Sequence, residues 1–186
     1  MFLMPKKRLE LAILLLGGEK VGKKTLGTVY TGKDDFQVTP FAEKLFFFAN
    51  IDALPLKIVF FTLKPPHQTA KPLLYQATDG LLLCFDVARK TSLNDLKDQL
   101  NEFLSLGGRN NLPVRLVGTK ADLVFDRAVS SGHVHQLISM LVTKLIINEH
   151  EPLYYETSAL QKTSVDEPLV ALVREIVRRK MPNVNS

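Results

Sequence analysis

"LLLGGEKVGKKTL", residues 14–26, runs from an apolar stretch into a glycine pair and then a glycine followed by two lysines. The apolar residues up to Leu16 read as a buried strand, the glycines as a turn, and Lys23 to Tyr30 as the helix that follows. Gly17, four intervening residues and then Gly22-Lys23 give the spacing at which backbone N–H groups wrap phosphates at a helix N-terminus. Lys23 would bring its charge to the outer phosphates. The complete motif wants Ser or Thr next, and Lys24 stands there instead. A glycine-rich turn with nothing bound fits the same residues.

Working outward, apolar runs bounded by turn residues alternate with amphipathic segments. Glu10–Leu16, Lys44–Ala49, Leu56–Leu63, Gly80–Val87, Leu112–Gly118 and the stretch "PLYYETS" read as strands. "NIDALP" between the second and third of them reads as a hairpin turn. Ser92–Leu106, Ser131–Ile146 and Val165–Lys180 read as helices, the first with a Ser-Leu-Asn-Asp start that can cap it. Continuous apolar strands between amphipathic helices imply a mostly parallel sheet covered on both faces, here six-stranded with one antiparallel edge strand. No repeat or linker breaks residues 1–186, which suggests a single domain. In such sheets ligands sit beyond the carboxyl ends of the strands.

Composition narrows the class. The chain has 186 residues, 46% of them hydrophobic and 23% charged, which suits a globular domain with a substantial core. One cysteine, Cys84, excludes an internal disulfide and fits a reducing, cytoplasmic compartment. The basic-then-apolar start "KKRLELAILLL" imitates a secretory signal, but Glu10 interrupts it and the uncharged run from Leu11 to Leu16 is short. No apolar run is long enough to span a bilayer. The net charge of +5 is modest and its basic residues are scattered, so a nucleic-acid groove is not indicated.

Two further strand-end motifs give the loop its context. "TKAD", Thr119 to Asp122, follows the fifth strand, and "ETSAL", Glu156 to Leu160, follows the sixth. With these the chain resembles the Ras superfamily of small GTPases. "ATDGLLLCFDVARKTSLNDL", "DRAVSS" and "VDEPLVALVREI" are similar to that family's fourth strand and next helix, its lead into the fourth helix, and its last helix. The resemblance implies a nucleotide-binding G domain for GTP or GDP. It implies that Asp122 accepts hydrogen bonds from guanine N1 and N2, that Lys120 lays its stem along the base and that Thr119 braces the loop. It further implies that the Ala159 N–H donates to O6, while Ser158 and Leu160 belong to that last turn. Taken singly, Asp122 also suits a helix N-cap and Ser158 a turn.

The metal and hydrolysis residues depart from the family. Lys24 replaces the hydroxyl that ligates Mg²⁺, and an ammonium cannot coordinate a cation. Thr25 carries a hydroxyl, but one helical position turns it by about 100°, away from the phosphates. Aligning "LKIVFF" puts Phe61 at the second-switch aspartate, Lys64 at its glycine and Pro65 at its glutamine. Metal and attacking water both lose anchors. Glu19 and Lys20 replace small residues near the outer phosphates. Lys24 either substitutes for part of the metal's charge, giving weak or no Mg²⁺ dependence, or is a solvated helix lysine. Thr39 is the candidate counterpart of the first-switch threonine. "KPPHQTAKPLLY" has three prolines and no glycine, which restricts a second switch. His67 and Gln68 read as polar loop residues.

The expected partner is a protein, reached through the switches and the edge strand at 43–51. Three successive phenylalanines, Phe46 to Phe48, put at least one ring on the outer face. Such a strand is either covered by another part of the chain or offered to a partner. The ending "RRKMPNVNS" has no cysteine, so no prenyl anchor is expected from it. Its cations complement a helix dipole.

Overall fold

The computed structural model describes residues 8–32, 36–63, 71–147 and 153–182. Its elements run β1 (Leu9–Leu16), α1 (Lys23–Thr31), β2 (Gln37–Val38), β3 (Ala42–Ile51), β4 (Leu54–Leu63), α2 (Lys71–Gln76) and β5 (Gly80–Asp86). They continue α3 (Thr91–Ser105), β6 (Val114–Thr119), α4 (Ser131–Lys144), β7 (Tyr154–Glu156) and α5 (Asp166–Lys180).

Alternation along the central strands builds the two faces. Leu14 and Leu16 of β1, with Leu81, Leu83 and Phe85 of β5, turn to one side and meet Leu96, Leu100 and Phe103 of α3 and Leu137 and Leu141 of α4. Leu11, Ile13 and Leu15, with Leu82 and Cys84, turn to the other and meet Leu26 of α1 and Leu169, Leu172, Val173 and Ile176 of α5. A strand buried on both faces is apolar along most of its length, and β5 is buried at all seven positions with Asp86 its one charged residue, at the end. No helix among the described residues is long and apolar enough to cross a membrane.

The sheet order is β2-β3-β4-β1-β5-β6-β7. β1 pairs in parallel with β4 and β5, and β5, β6 and β7 continue in parallel. β3 runs antiparallel to β4 through a two-residue turn at Asp52 and Ala53, both left-handed at φ 50° and 63°. The described residues form seven strands rather than the expected six because Gln37–Val38 adds a two-residue strand on β3. β2 covers only Glu43 and Lys44, and among the described residues no strand pairs with 45–51 on that side.

Two local expectations change. Ser92 does not cap α3: the helix starts at Thr91 without a side-chain cap. Its hydroxyl instead accepts from Asp86 N at 3.0 Å and donates to Arg89 O at 2.6 Å, fastening the helix to the end of β5. The six-residue helix α2 lies inside the proline-rich segment. Lys64, Pro65, His67 and Gln68 fall outside the described residues.

Candidate functional site

The loops after β1, β6 and β7 meet at one end of the sheet, together with the start of α1. Gly17 has φ 145°, and a Cβ there would lie 2.2 Å from the Cys84 carbonyl oxygen. A Cβ on Gly18 would lie 2.4 Å from Asp95 Oδ2. The loop therefore packs its backbone against β5 and α3, and Gly17 N donates to Gln99 Oε1 at 2.8 Å. Lys20 and Gly22 are left-handed, at φ 58° and 93°, which reverses the chain into α1. Gly22 caps α1 without a side chain, leaving the first-turn N–H groups open to an anion.

Lys23 folds its ammonium over the loop, donating to Gly17 O and, at 2.6 Å, to Gly18 O. Burial is the largest influence on it and lowers its pKa, with Cys84 and Glu19 acting in the opposite sense and Arg89 reinforcing the drop. Arg89 crosses the loop and donates to Glu19 O at 2.5 Å. The Thr119 hydroxyl donates to Val21 O at 2.5 Å and also contacts Phe85 O at 2.9 Å, joining the glycine loop to the ends of β5 and β6.

Beyond Thr119 the chain turns through a left-handed Lys120, φ 61°, whose ammonium lies 2.6 Å from the buried Asp86 carboxylate. Asp122 Oδ1 accepts from Ser158 Oγ at 2.6 Å, and Ala121 N donates to Thr157 O at 3.0 Å. Arg127 and Glu156 form a two-fold ion pair at 2.9 and 2.5 Å, and Tyr154 Oη donates to the same carboxylate at 2.6 Å. The arginine hydrogen bond holds the Glu156 carboxyl below its ordinary range. These contacts fix the loops after β6 and β7 to each other. Between them and α1 is a chamber of about 220 Å³, bounded by Gly22, Thr25 and Leu26 and by Thr119, Lys120, Asp122, Thr157, Ala159 and Leu160.

A second chamber, about 530 Å³, adjoins the first and shares Gly22, Thr25 and Lys120 with it. Its walls are the glycine loop from Glu19 to Lys24, Glu43 of β3, and Thr62 and Leu63 of β4. Lys24 is ion-paired here, its Nζ 2.7 Å from Glu43 Oε2, and stands 5.8 Å from the Phe36 ring. Glu43 and Thr62 are direct cross-strand partners, so both side chains face the same way.

The geometry bears on three expectations. Phe61, aligned with the second-switch aspartate, is 4% exposed and packed in the core, and its neighbour Thr62 lines the second chamber. A one-residue shift on a strand exchanges faces, and the pairing Leu14↔Phe61 sets which residue points inward. Thr25 is not turned away, since it borders both chambers. Thr39 uses its hydroxyl on Ala42 O at 2.8 Å, closing the turn between β2 and β3. Glu43, Asp86, Gln99 and the Arg127–Glu156 clamp were outside the sequence expectations, because their roles depend on contacts between distant segments.

Residues 64–178 match the sequence profile of the Ras family. The chain belongs to the Ras family. Ras-related protein RabP of Dictyostelium discoideum is 26% identical over 186 residues, 95% of this chain and 79% of that protein. Ras-related protein Rab-17 of Mus musculus is 26% identical over 171 residues, 90% of this chain and 76% of that protein. The Ras and EF-hand domain-containing protein homolog of Mus musculus is 30% identical over 105 residues, which are 56% of this chain and 16% of that protein. The Ras-family match includes Thr119–Asp122 and Glu156–Leu160 and begins after the glycine loop, Glu43 and Thr62.

Proposed function

We propose that this chain is an atypical guanine-nucleotide-binding member of the Ras family. In this reading it holds GDP or GTP with weak or no Mg²⁺ dependence, and its intrinsic GTP hydrolysis is absent or very slow. The observation that carries the reading is the Lys24–Glu43 ion pair in the larger chamber, beside a smaller chamber that ends on Asp122.

The residues suit a nucleotide. Gly17 and Gly18 keep the loop backbone close, the open N–H groups of α1 and Lys23 receive phosphates, and Asp122 offers a carboxylate to the donor edge of guanine. Leu26 and Leu160 supply apolar walls, and Lys120 is held over the chamber mouth by Asp86. They do not suit a resident divalent cation. Lys24 presents a positive charge and no lone pair, and it occupies the Glu43 carboxylate. Phe61, aligned with the family's second-switch aspartate, offers no ligand atom, so no metal-dependent step is assigned.

Residues 1–186 act as one domain in this account, whose output is protein contact through the switch region and the 43–51 strand. Phe46 and Phe48 support that output: they pack edge to face, with Lys57 Nζ 5.4 Å from one ring and Arg8 Cζ 4.4 Å from the other. Phe48 is 55% exposed. The buried Cys84 fits a cytoplasmic site of action. A second reading, a slow GTPase completed by a partner's catalytic groups, draws on the presence of Thr62 in the chamber wall.

Titration of purified protein with fluorescent GDP, GTP and ADP tests the proposal. Saturable binding of the guanine nucleotides, with ADP at least about a hundredfold weaker, is expected from the loss of two charge-assisted hydrogen bonds at Asp122. Absence of guanine-nucleotide binding would overturn it in favour of a nucleotide-free structural subunit.

A further inference from the structure

We infer that Lys20 is a phosphate-contacting residue of the second chamber, supplying at the nucleotide's phosphates part of the charge that a divalent cation would otherwise bring. The inference rests on the proposed guanine-nucleotide site and gives one side chain of the glycine loop a role within it.

The lysines around that chamber are unequally engaged. Its wall includes Lys20, Lys23, Lys24 and Lys120. Lys23 is folded onto Gly17 O and Gly18 O, and Lys120 Nζ lies 2.6 Å from the Asp86 carboxylate. Lys24 is paired with Glu43 at 2.7 Å, and Glu43 has a further interaction of its own. Among the described residues, Lys20 alone of these lysines has no hydrogen-bond or ion-pair partner.

The backbone holds Lys20 where a side chain is disfavoured. At φ 58° it is left-handed, a conformation that glycine adopts at less cost. Residues kept in such conformations cluster where ligands are handled. Two duties suit its ammonium. One is to neutralise Glu19, the exposed carboxylate beside it on the wall, but no ion pair joins the two among the described residues. Arg89 holds the Glu19 carbonyl instead, at 2.5 Å. The other duty is to meet an anion in the chamber.

A nucleotide whose base reaches Asp122 sends its phosphates past Gly22 and Thr25, which border both chambers, into the one that Lys20 lines. The first-turn N–H groups of α1 and Lys23 favour anions there, and an uncommitted ammonium with three donors adds to them. Glu19 and Glu43 oppose the phosphates, so a free cation on the same wall carries more weight.

The experiment is titration of the full chain with fluorescent GDP in excess chelator, so that no metal masks the loss of a charge. Lys20→Gly and Lys20→Gln should each weaken binding about tenfold or more, the cost of one charge-assisted hydrogen bond. Lys20→Gly should also keep the thermal midpoint of the nucleotide-free protein near the wild-type value, since glycine takes this φ without strain. Lys20→Gln keeps a side chain in the turn, which separates loss of charge from loosening of the loop. The loss on Lys20→Gln should persist in a Glu19→Gln background. Wild-type affinity in either Lys20 variant, or a loss that disappears once Glu19 is neutral, would overturn the inference while leaving guanine-nucleotide binding standing. A wild-type protein that binds no guanine nucleotide would overturn both.

Discussion

Lys24 Nζ and Glu43 Oε2 lie 2.7 Å apart, joining the first turn of α1 to the outermost long strand of the sheet. The contact sets a salt bridge beside the helix N-terminus that would face phosphate. Glu43 belongs to β3 and stands opposite Thr62 of β4 in the ladder. Lys24 is 58% exposed and Glu43 only 14%, so solvent screens one end of the pair. Its consequence lies in the charge it leaves at the site.

Lys23 should make nucleotide affinity pH-dependent in the alkaline range. Burial lowers its pKa in the free protein, and neighbouring phosphates raise it again by favouring the charged form. Affinity for GDP is then flat below the free-protein pKa and falls as pH rises through it, with proton uptake on binding. Calorimetry in buffers of different ionisation heat from pH 7 to 10 reads the uptake. Lys23→Gln should abolish it along with most of the affinity.

Asp122→Asn should weaken GDP binding by about a hundredfold, because each charge-assisted hydrogen bond to the base is worth about 1.5–3 kcal/mol. The variant also alters the acceptor for Ser158 Oγ. Fluorescent-GDP titration measures the loss, and an unchanged dissociation constant would remove Asp122 from the site.

Gly17→Ala should destabilise the fold by about 3 kcal/mol whether or not nucleotide is present. The added Cβ would meet backbone, the Cys84 carbonyl oxygen at 2.2 Å, which cannot move aside as a flexible side chain can. Urea unfolding monitored by circular dichroism provides the value.

The Arg127–Glu156 clamp should contribute to acid sensitivity. The Glu156 pKa is depressed in the folded state, first by its hydrogen bond to Arg127, so the stability it adds is present above its unfolded pKa and lost as pH falls through the folded value. The partners are a third exposed, and screening limits the effect to about 0.5 kcal/mol. Glu156→Gln should flatten that part of the stability profile between about pH 5 and 3, as read by thermal midpoints across the acid range.

Much of the architecture was legible because β1, β5 and β6 are mostly apolar, interrupted only by Glu10 and Arg115 before the polar ends of β5 and β6, and α3 and α5 carry regular apolar faces. The missing strand β2 has only Gln37 and Val38, both exposed, and leaves no periodic trace. Which of Phe61 and Thr62 faces the chamber was hidden for a different reason. An apolar run such as "IVFFTL" carries no mark of which residues face which layer, and only pairing with β1 and β3 turns Thr62 toward the chamber. The motifs at Thr119–Asp122 and Glu156–Leu160 were readable because each is contiguous. Glu43 was not, since nothing in sequence sets its distance from Lys24. Ser92 looked like a cap because capping residues also serve as inter-element ties, and the buried end of β5 claims its hydroxyl.

The most direct test of the central claim is the affinity for GDP measured with millimolar Mg²⁺ and with excess chelator, on wild type and on Lys24→Ser. The account predicts that the wild-type dissociation constant changes by less than about threefold, under 1 kcal/mol. The serine variant, which regains a hydroxyl ligand and removes the ammonium, should bind about tenfold or more tighter with the metal than without it. A wild-type affinity that collapses on chelation would contradict the account.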